Sequence, residues 1–532
     1  MTTTARKAKN RKTGKATMLE SRNPRTGEVL AEIPSVDPAE VSEVVARARK
    51  VQPEWAAIPP AARARYLDEV RHRLYGRIDD LIEVVSGETG KPRREALIFE
   101  AFPSANLLAR MGALAPKALK PRGAGGLAGP LLFGSRSRIE WRPFGVVGAI
   151  TPWNYPITNA FLGFLGALVA GNAVVLKPSE VTPASGELIR DLFDPLPPNV
   201  FNVIQGGGDV GAALVDAPCD KISFIGSPAT GRKILEAAAK HLTPAVMELG
   251  GQDAAIVCDD ADLDVASSGL AWSSFFNAGQ TCCSVERIFV TESVADEFQD
   301  RFLQKVSQIQ IGGSGIEMGP MTFAPQLDTV GRHVRDAVAK GATVLAGGVE
   351  AGPKNENGTL WFAPTVLTDV TTDMDVVREE SFGPVITITR VRDEDEAVRR
   401  ANEEGVLLTA SVWTNSKKRA DFLFSQIRAG AMQSNDHGVL PGMGWAPWGG
   451  LGESGFGRLN GILGIQEFAV PVHVAHSLSG KLKKPYWYPY DDDQEELVRG
   501  LAKIMAAKGA AAKLSGAGAV LKTIGKELKG RL

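Results

Sequence analysis

The sequence predicts an α/β protein built around a doubly wound parallel sheet. From about residue 144, short runs of apolar and β-branched residues alternate with apolar-periodic segments of helical length. This alternation is the βαβ rhythm of a parallel sheet, which binds ligands at the carboxyl ends of its strands. A chain of 532 residues is also too long for one hydrophobic core, so two or three domains are expected.

The hydrophobic pattern places the elements of this first sheet in order. Apolar runs bounded by turn residues predict buried strands at Val146–Ile150, Ala173–Leu176, Phe201–Ile204, Ile222–Ile225 and Ala245–Leu249. Apolar residues at helical spacing predict helices between them at Thr158–Ala170, Pro183–Leu192, Val210–Ala217 and Thr230–Lys240. Upstream, amphipathic patterns predict helices at Pro38–Gln52, Pro60–Asp79 and Ile82–Phe102, which can pack on this sheet.

A second α/β region runs from about residue 253 to about residue 430. Its predicted strands lie near Ala254–Val257, Arg287–Thr291, Val385–Thr389 and Ala410–Trp413. A Gly/Pro-rich break at Pro121–Pro130 precedes an alternating, exposed strand at Ser137–Trp141. Glycine and proline are also frequent in Gly438–Gly457, a composition typical of a long functional loop.

The bulk composition excludes several classes of protein. Apolar residues make up 44% and charged residues 23% of the chain, as in ordinary soluble globular proteins. The net charge of −1 argues against a nucleic-acid binder that depends on overall charge. No run reaches the roughly 18 apolar residues of a membrane-spanning helix. These features predict a cytoplasmic protein with no nucleic-acid partner.

The cysteines and histidines indicate reduced thiols and no metal centre. The four cysteines, at positions 219, 258, 282 and 283, do not form the framework of a disulfide-rich secreted protein. The adjacent Cys282 and Cys283 can bridge only with strain. Six scattered histidines and the lack of a Cys-x-x-Cys pattern argue against a metal site.

Both ends of the chain are basic. Residues 1–19 contain no acidic residue, which predicts a disordered basic arm, with an organelle-targeting segment as the alternative. Residues 481–532 form a basic extension with apolar residues at helical spacing, and Glu527 is the only acidic residue after Arg499. Such a helix can lie on an anionic membrane surface through residues 497–532, or it can pack on the protein's own body.

Two side chains in tight signatures supply the first functional hypothesis. Glu248 stands in a Met-Glu-Leu-Gly-Gly run and Cys282 in a Gly-Gln-Thr-Cys-Cys run. A cysteine thiolate can attack a carbonyl carbon, and a carboxylate can activate the water that cleaves the resulting thioester. Taken alone, each residue also has an ordinary reading, the thiol as core packing and the carboxylate as a surface ion pair.

Polar side chains that follow predicted strands are further candidates. Asn154 could form an oxyanion hole together with the Cys282 N–H, or it could cap a helix. Lys177 and Glu180, just past a buried strand, could bind the two hydroxyls of a ribose, or they could form a solvated pair.

Two glycine-containing turns could hold phosphate. Phe224–Gly231 joins a strand to a helix with Ser227 as N-cap, so free N–H groups could face a pyrophosphate. An ordinary capped turn is the alternative. Gly206–Gly211 has the formal Gly-x-Gly-x-x-Gly spacing, but it follows the third strand and has no well-placed acidic partner. This second turn predicts at most a close-packed segment near a cofactor.

The joint order of the motifs decides between these alternatives. The motifs are Pro152-Trp153-Asn154, Lys177-Pro178-Ser179-Glu180, Gly226-Ser227 with Gly231, Glu248-Leu249-Gly250-Gly251, Gly279-Gln280-Thr281-Cys282 and Glu379-Glu380-Ser381-Phe382-Gly383-Pro384, followed by Pro447-Trp448-Gly449-Gly450, Ser454-Gly455 and Gly457-Arg458. With these motifs in this order, the sequence closely resembles the aldehyde dehydrogenase superfamily from about residue 20 to about residue 475.

The resemblance implies oxidation of an aldehyde to the carboxylic acid with NAD(P)+. It implies that Cys282 forms a thiohemiacetal and then a thioester, that Asn154 donates to the oxyanion, and that Glu248 activates the hydrolytic water. The implied cofactor-binding residues are Ile150, Pro152, Trp153, Lys177, Glu180, Gly208, Phe224, Gly226, Ser227, Gly231, Leu249, Glu380 and Phe382. The Glu180 carboxylate would repel a 2′-phosphate, so NAD is expected, although relatives with this glutamate can tolerate NADP.

The resemblance also implies an architecture. A Rossmann-like cofactor domain would comprise residues 20–122 and 144–248, and a catalytic α/β domain residues 249–464. A small β oligomerisation arm would comprise residues 123–143 and 465–480. A homodimer or homotetramer is therefore expected.

The substrate class follows from the positions that the resemblance places along an aldehyde tunnel. These positions are Tyr155, Thr158, Asn159, Leu162 and Phe276. None is cationic, which favours a neutral aliphatic or lipid-derived aldehyde over one that carries a carboxylate. The basic tail is similar in placement to the membrane-associating tails of fatty-aldehyde members of the superfamily.

Other readings remain beside this one. A semialdehyde dehydrogenase of amino-acid or polyamine catabolism would need an arginine that reaches the tunnel from another loop. A CoA-acylating enzyme is disfavoured by Glu248, and a non-catalytic scaffold protein by the retention of both Glu248 and Cys282. Gln252-Asp253 departs from the Lys-Asn or Lys-Ser common after Glu-Leu-Gly-Gly, which weakens any subfamily assignment.

Overall fold

The computed structural model describes residues 17–125, 134–313, 315–403, 406–478, 480, 487–490 and 492–529. It divides into two compact units. The first comprises the chain up to Leu119 together with Arg142–Val470, and the second comprises Lys120–Trp141 and Pro471–Leu532. The predicted basic arm, apart from residues 17–19, lies outside the described residues, as do residues 126–133 and 479 of the predicted β arm and residues 481–486, 491 and 530–532 of the extension. The predicted domain boundaries stay a prediction.

The strands are numbered here in chain order. They are β1 (Met18–Arg22), β2 (Val29–Pro34), β3 (Arg122–Ala124), β4 (Ser135–Pro143), β5 (Val146–Ile150), β6 (Ala173–Lys177), β7 (Phe201–Val203), β8 (Lys221–Ile225), β9 (Ala245–Glu248), β10 (Asp253–Val257), β11 (Val285–Thr291), β12 (Thr343–Ala346), β13 (Thr365–Thr368), β14 (Val385–Val391), β15 (Val406–Leu407), β16 (Thr409–Trp413), β17 (Ala431–Ser434), β18 (Leu451–Gly452), β19 (Gly455–Phe456) and β20 (Ala469–Ser477).

The helices are numbered in the same way. They are α1 (Val41–Ala57), α2 (Pro60–Gly76), α3 (Ile78–Thr89), α4 (Arg93–Ala96), α5 (Phe102–Ala118), α6 (Thr158–Ala170), α7 (Pro183–Leu192), α8 (Gly208–Asp216), α9 (Pro228–Ala239), α10 (Leu263–Phe275), α11 (Ala295–Ser307), α12 (Ala324–Ala339), α13 (Asp375–Arg378), α14 (Glu394–Ala401), α15 (Lys417–Phe424), α16 (Gly461–Glu467), α17 (Asp492–Ala506) and α18 (Ala510–Lys529).

The first large sheet has the strand order β19-β9-β8-β5-β6-β7. Strands β9 to β7 in this order run parallel, and the short β19 is antiparallel to β9. Helices α1, α8 and α9 share a hydrophobic core with one face of the sheet. Helix α6 is buried along its whole length because it packs on the sheet and on α5 and α16. Because strands β9, β8, β5, β6 and β7 run parallel, their carboxyl ends lie at one edge of the sheet.

The second large sheet has the strand order β12-β13-β14-β11-β10-β16-β17. All of its pairings are parallel except that of β12 with β13. Helices α10, α11 and α12 enclose one hydrophobic core against it, and α14 and α15 enclose another. The predicted α/β fold class is confirmed by these two sheets.

One predicted helix, Ile82–Phe102, is wrong in its length. Helix α3 ends at Thr89 because Gly90 adopts the left-handed conformation at φ 75° and Pro92 follows. The chain then continues through α4 and one π-helical turn, Leu97–Ala101, into α5. This interruption matters for the site because Lys91, inside the break, is turned into the protein interior.

The second unit contains a three-stranded sheet and a helical hairpin. The sheet order is β20-β4-β3, and β3 and β4 pair antiparallel. Helices α17 and α18 pack together where Gly516 approaches Ile504, with a 3.3 Å ion pair between Lys522 and Glu496 further along. Within the described ranges, no helix combines the length and the apolar character that a membrane crossing requires.

Candidate active site

The loop that carries Cys282 is strained and tightly placed. Asn277, Ala278 and Gly279 all adopt positive φ values, of 52°, 55° and 68°. Such backbone persists only where surrounding contacts impose it. A β-carbon at Gly279 would overlap the carbonyl of Gly383, so only glycine fits there. Cys282 is partly exposed, whereas the other three cysteines are buried. The loop therefore leaves one of the four cysteines partly accessible.

Hydrogen bonds from other parts of the chain fix this loop. The Gln280 carbonyl accepts from the side-chain amides of Asn154 at 3.0 Å and Asn277 at 3.1 Å. The Gln280 side chain accepts from the Thr322 N–H at 2.8 Å, and the Ser284 hydroxyl donates to the Ser273 carbonyl at 3.1 Å. The residues on both sides of the cysteine pair are thus anchored.

We call residues 277–283 the nucleophile loop, after the predicted role of Cys282. Asn154 contacts this loop at Gln280, the placement expected of the predicted oxyanion donor. Its amide nitrogen donates one hydrogen to Gln280, and its amide oxygen accepts from Asn159 at 3.0 Å. An amide group carries two N–H bonds, so one remains for an oxygen of a bound substrate. Asn159, predicted as a tunnel residue, thereby also fixes the orientation of the Asn154 amide.

Lys91 and Glu100 form a fully buried ion pair next to Asn154. The sequence patterns did not indicate this pair. Lys91 Nζ donates to the Asn154 carbonyl at 2.7 Å, lies 3.3 Å from Glu100 Oε1 and sits 4.0 Å above the Tyr155 ring. Glu100 Oε2 accepts from the backbone N–H of Thr158 at 2.8 Å. The chain from Asn154 to Thr158 is therefore held by two opposite charges.

Glu248 lies at the carboxyl end of β9 in a dry environment. Its burial raises the pKa of the carboxyl to about 8, while the Arg458 charge and a hydrogen bond from the Trp448 side chain lower it. Among the described residues, its Oε1 atom has no hydrogen-bond partner. A buried, unsatisfied acceptor with a raised pKa suits a general base near neutral pH.

The Glu248 strand also leads directly to the nucleophile loop. At Gly251, a β-carbon would lie 2.9 Å from the Cys282 carbonyl oxygen, so the two backbones are in contact. The Gly251 N–H donates to Glu380 Oε1 at 3.0 Å. Because Gly250 and Gly251 have no side chains, the segment that follows Glu248 can contact both the Cys282 backbone and Glu380.

The predicted adenosine-side residues lie at the carboxyl edge of the first sheet. Ile150 ends β5, where it pairs in register with Lys177 of β6 on one side and Phe224 of β8 on the other. Lys177 is buried and forms a 2.8 Å ion pair with the half-exposed Glu180. This is the edge at which a parallel sheet binds nucleotides.

The turn from β8 into α9 has the predicted capped form. The Ser227 hydroxyl accepts from the Thr230 N–H at 3.3 Å at the start of α9. A β-carbon at Gly231 would lie 2.9 Å from the Leu249 side chain, and one at Gly226 would press on the Phe224 ring. The free N–H groups at the N-terminus of α9 therefore lie close to Leu249, the residue after Glu248.

Gly208 is the first residue of α8, and a β-carbon there would meet open space. Its helix packs beside Lys177, because a β-carbon at Gly211 would lie 3.6 Å from the lysine side chain. The formal glycine motif is therefore a helix start next to the proposed ribose contacts.

The predicted nicotinamide-side residues converge from two directions. Glu380 reaches the Gly250–Gly251 segment, and burial raises the pKa of its carboxyl. The Phe382 ring stands edge-on to Trp153, with 5.6 Å between ring centroids. Trp153 follows Pro152 in the turn that leads to Asn154. The structure thus joins the Glu380–Phe382 segment both to Gly251 and to Trp153.

All five predicted tunnel residues are buried, and they include part of an aromatic wall. The Tyr155 hydroxyl is 2.8 Å from the Thr281 hydroxyl, and its ring lies 6.5 Å from Phe276. Trp272 stacks on Phe276 at 4.5 Å, and Phe99 lies 5.5 Å from both rings. We call Phe99, Tyr155, Trp272 and Phe276 the aromatic wall.

Leu162 and Thr158 lie on α6, and the Thr158 hydroxyl donates to the Phe99 carbonyl at 2.9 Å.

Glu95 is a further residue that sequence reasoning missed. Both of its carboxylate oxygens lie 3.2 Å from the Asn277 N–H, so it holds the first left-handed residue of the nucleophile loop. Burial raises the pKa of Glu95 to about 7. Trp272 could have been found from its position four residues before Phe276, at the end of a helical pattern, but Glu95 and Phe99 carry no such local signal.

Comparison with known proteins identifies the family. The family model described as "Aldehyde dehydrogenase family" matches residues 11–474. The chain belongs to the aldehyde dehydrogenase family.

Individual relatives agree with this assignment. The chain is 37% identical over 490 residues to a 4,4'-diapolycopene aldehyde oxidase from Methylomonas sp, covering 91% of this chain and 90% of that one. It is 36% identical over 481 residues to a betaine aldehyde dehydrogenase from Rhizobium leguminosarum bv. trifolii (strain WSM2304), covering 88% and 96%. The structure of PnpE from Pseudomonas sp. WBC-3, solved also with nicotinamide adenine dinucleotide, matches with a TM-score of 0.83 at 32% identity. The match to that complex covers 88% of this chain and 95% of PnpE.

These comparisons confirm several predictions made from the sequence. The resemblance to aldehyde dehydrogenases, the enzyme class and the NAD(P) cofactor are all supported. The protein is an NAD(P)-dependent aldehyde dehydrogenase. The relatives' names differ in the aldehyde, so they leave its substrate open.

The raised pKa of Glu248 predicts the pH dependence of a step in which this carboxylate is the base. The proton must leave Glu248 first, so kcat should rise with pH through about 8 and then level off. The Trp448 hydrogen bond lowers this pKa, so Trp448→Phe should move the rising limb to higher pH.

The measurement is kcat against pH at saturating aldehyde and cofactor. Trp413→Phe, which alters a buried indole of the second sheet, is the matched control and should leave the limb in place. A Trp448→Phe profile that superimposes on the wild-type profile would contradict the assignment.

Proposed function

We propose that the protein oxidises an aldehyde to the carboxylic acid through a covalent intermediate on Cys282. The observation that carries this proposal is the nucleophile loop, in which Cys282 is partly exposed, Gln280 accepts a hydrogen bond from the Asn154 amide, and the Cys282 carbonyl packs against Gly251 of the Glu248 segment. The Cys282 thiolate attacks the aldehyde carbon. The Asn154 N–H that remains free and the Cys282 backbone N–H then stabilise the oxygen that becomes negative.

The residues at the sheet edge fit a dinucleotide. Lys177 and Glu180 would hold the adenosine ribose, the N-terminus of α9 from Ser227 would face the pyrophosphate, and Glu380 and Phe382 would flank the nicotinamide ribose. When bound, NAD(P)+ supplies a hydride acceptor. The Glu180 carboxylate, near the ribose hydroxyls, favours NAD over NADP by repelling a 2′-phosphate.

Glu248 completes the proposed reaction. Loss of hydride from the thiohemiacetal carbon leaves a thioester on Cys282. The Glu248 carboxylate takes a proton from water as the water oxygen attacks the thioester carbon, and the acid leaves as the C–S bond breaks. Burial of Glu248 keeps its basicity high without a fixed partner on Oε1.

The loss of the nucleophile is the direct test. Cys282→Ala should lower NADH formation by at least about three orders of magnitude, because no thioester can form, while NAD still binds in a fluorescence titration. Cys258→Ala removes a buried thiol from the second sheet and should keep turnover. Wild-type turnover in Cys282→Ala would exclude Cys282 as nucleophile, and an inactive wild-type protein would favour a non-catalytic scaffold.

We propose a neutral aliphatic or lipid-derived aldehyde as the substrate class. The aromatic wall and Leu162 give the predicted tunnel an apolar lining. The nearby cation, Lys91, is engaged by Glu100 and the Asn154 carbonyl, so it offers no anchor for a carboxylate. Next to Phe99, the π-helical turn exposes Leu97 and Ile98, and Phe102 follows with 70% of its surface exposed. A relative named for 4,4'-diapolycopene aldehyde is consistent with an apolar substrate.

A series of linear aldehydes tests this class. Each methylene buried in the tunnel contributes about 0.8 kcal/mol, so kcat/KM should rise about fourfold per CH₂ until the tunnel is full. The series is measured with NAD and with NADP, beside betaine aldehyde and succinate semialdehyde. A higher kcat/KM for betaine aldehyde or succinate semialdehyde than for every neutral aldehyde would overturn the proposal.

We propose that the protein is a cytoplasmic homodimer or homotetramer, with the β3-β4-β20 sheet as its oligomerisation arm. Within the described chain, β3 and β20 are edge strands of that small sheet. An edge strand can pair with the edge of another copy.

We also propose that the α17–α18 hairpin binds an anionic membrane surface as a peripheral contact. Val498, Met505, Leu514 and Leu521 are each at least half exposed on these helices. Basic side chains, including Lys503, Lys508 and Lys513, are interspersed with them. Exposed apolar groups among cations are the features of an interfacial helix.

Charges placed on the exposed apolar positions test this contact. The triple variant Met505→Glu, Leu514→Glu and Leu521→Glu should lose sedimentation with phosphatidylserine vesicles, because each glutamate removes apolar area and repels the anionic surface. Its turnover of a short aldehyde and its mass in solution serve as controls and should not change. Full-length protein that fails to sediment at low salt would contradict the membrane proposal.

A further inference from the structure

His437 is a buried side chain that contacts the backbone of the cysteine pair at Cys283. Its Nε2 atom lies 3.0 Å from the Cys283 carbonyl oxygen and 3.1 Å from the Thr409 hydroxyl. Asp253 Oδ2 is 3.7 Å from the same nitrogen. Both His437 and Asp253 are almost completely shielded from solvent. None of these residues belongs to the reaction steps proposed above.

The chemistry of the partners determines which ring nitrogen carries hydrogen. A carbonyl oxygen can only accept, so a hydrogen bond to Cys283 requires Nε2–H. The Thr409 hydroxyl forms a close hydrogen bond with Asp253 Oδ2, and its backbone N–H donates to Asp253 Oδ1 at 2.8 Å. The carboxylate thus faces the Nε2–H edge of the ring, where its charge favours this tautomer.

The position of Cys283 is coupled to that of Cys282 through one peptide unit. The Cys282 carbonyl oxygen packs against Gly251, and the Gln280 carbonyl accepts a hydrogen bond from Asn154. The hydrogen bond from His437 holds the Cys283 carbonyl. Hydrogen bonds to the carbonyls two residues before and one residue after Cys282 therefore restrict the orientation of its N–H and thiol.

We propose that His437, oriented by Asp253 and Thr409, is a positioning residue that holds the Cys282 thiol and N–H in reactive geometry. The inference rests on the proposed role of Cys282 as nucleophile. It assigns no proton transfer to His437, which touches neither substrate nor cofactor.

The test compares a variant that keeps the N–H donor with one that loses it. The glutamine introduced by His437→Gln can present an amide N–H to the Cys283 carbonyl, whereas the leucine introduced by His437→Leu cannot. The readouts are the rate of Cys282 alkylation by iodoacetamide, the rate of the pre-steady-state NADH burst, and the KM for NAD. His72→Gln, at an exposed position of α2, is the control.

We expect His437→Leu to lower the alkylation and burst rates by about tenfold or more, within the roughly hundredfold that an ångström of misplacement costs. His437→Gln should stay close to wild type, and the KM for NAD should be unchanged in both. Thr409→Val, which loses the hydroxyl bound to Asp253, should also lower the alkylation and burst rates. This variant replaces His437→Leu in the test if His437→Leu does not fold.

Equal rates for His437→Leu and His437→Gln would overturn the proposal. So would a fall in melting temperature without any fall in alkylation or burst rate, which would mean a purely structural role. Failure of the proposed function is a separate outcome, since it would appear as full turnover in Cys282→Ala.

Discussion

The buried pair of Lys91 and Glu100 is the interaction on which the site's geometry depends. Both charges are removed from water, at a cost of several kcal/mol for each ion, so they persist only with complete hydrogen bonding. Lys91 donates to Glu100 and to the Asn154 carbonyl, and Glu100 accepts from the start of α6. Because Asn154 in turn binds the Gln280 carbonyl, the charge pair extends its constraint to the nucleophile loop.

The burial that strengthens these hydrogen bonds also raises the pKa of nearby carboxyl groups. Burial raises the pKa of Glu248 to about 8 and that of Glu95 to about 7. Burial therefore acts on two carboxyls with different roles, because Glu95 holds the loop through the Asn277 N–H while Glu248 keeps one oxygen without a partner among the described residues.

The sequence was sufficient for the parts of the fold that depend on local patterns. Helix α6 has the predicted bounds because its apolar run ends at Gly171, whose left-handed φ of 101° stops the helix. The predicted strands of the first sheet differ from the observed ones by one residue at most, since strands buried on both faces appear as continuous apolar runs. Helix Ile82–Phe102 failed because its amphipathic pattern continues across the break at Gly90 to Pro92.

Candidate site residues could be named from the sequence where they end or follow a predicted strand, or, as for Cys282, where they stand in a motif. Asn154, Lys177, Ser227 and Glu248 do so, and parallel topology brings such positions to one edge. Lys91 and Glu95 act on partners 63 and 182 residues away in the chain, so no local periodicity marks them. Their roles depend on how the upstream helices pack, which a motif does not record.

The late glycine-rich segment explains how one loop can serve both reacting groups. Gly455 pairs with Glu248 through β19, and the Trp448 side chain binds the same carboxyl. Immediately before the segment, His437 holds the Cys283 carbonyl. In the proposed reaction the thiohemiacetal must lose hydride before water attacks the resulting thioester, so the proposed nucleophile and base need a fixed separation. Contacts from a single segment to both loops provide that constraint, because neither group can shift without moving the other's support.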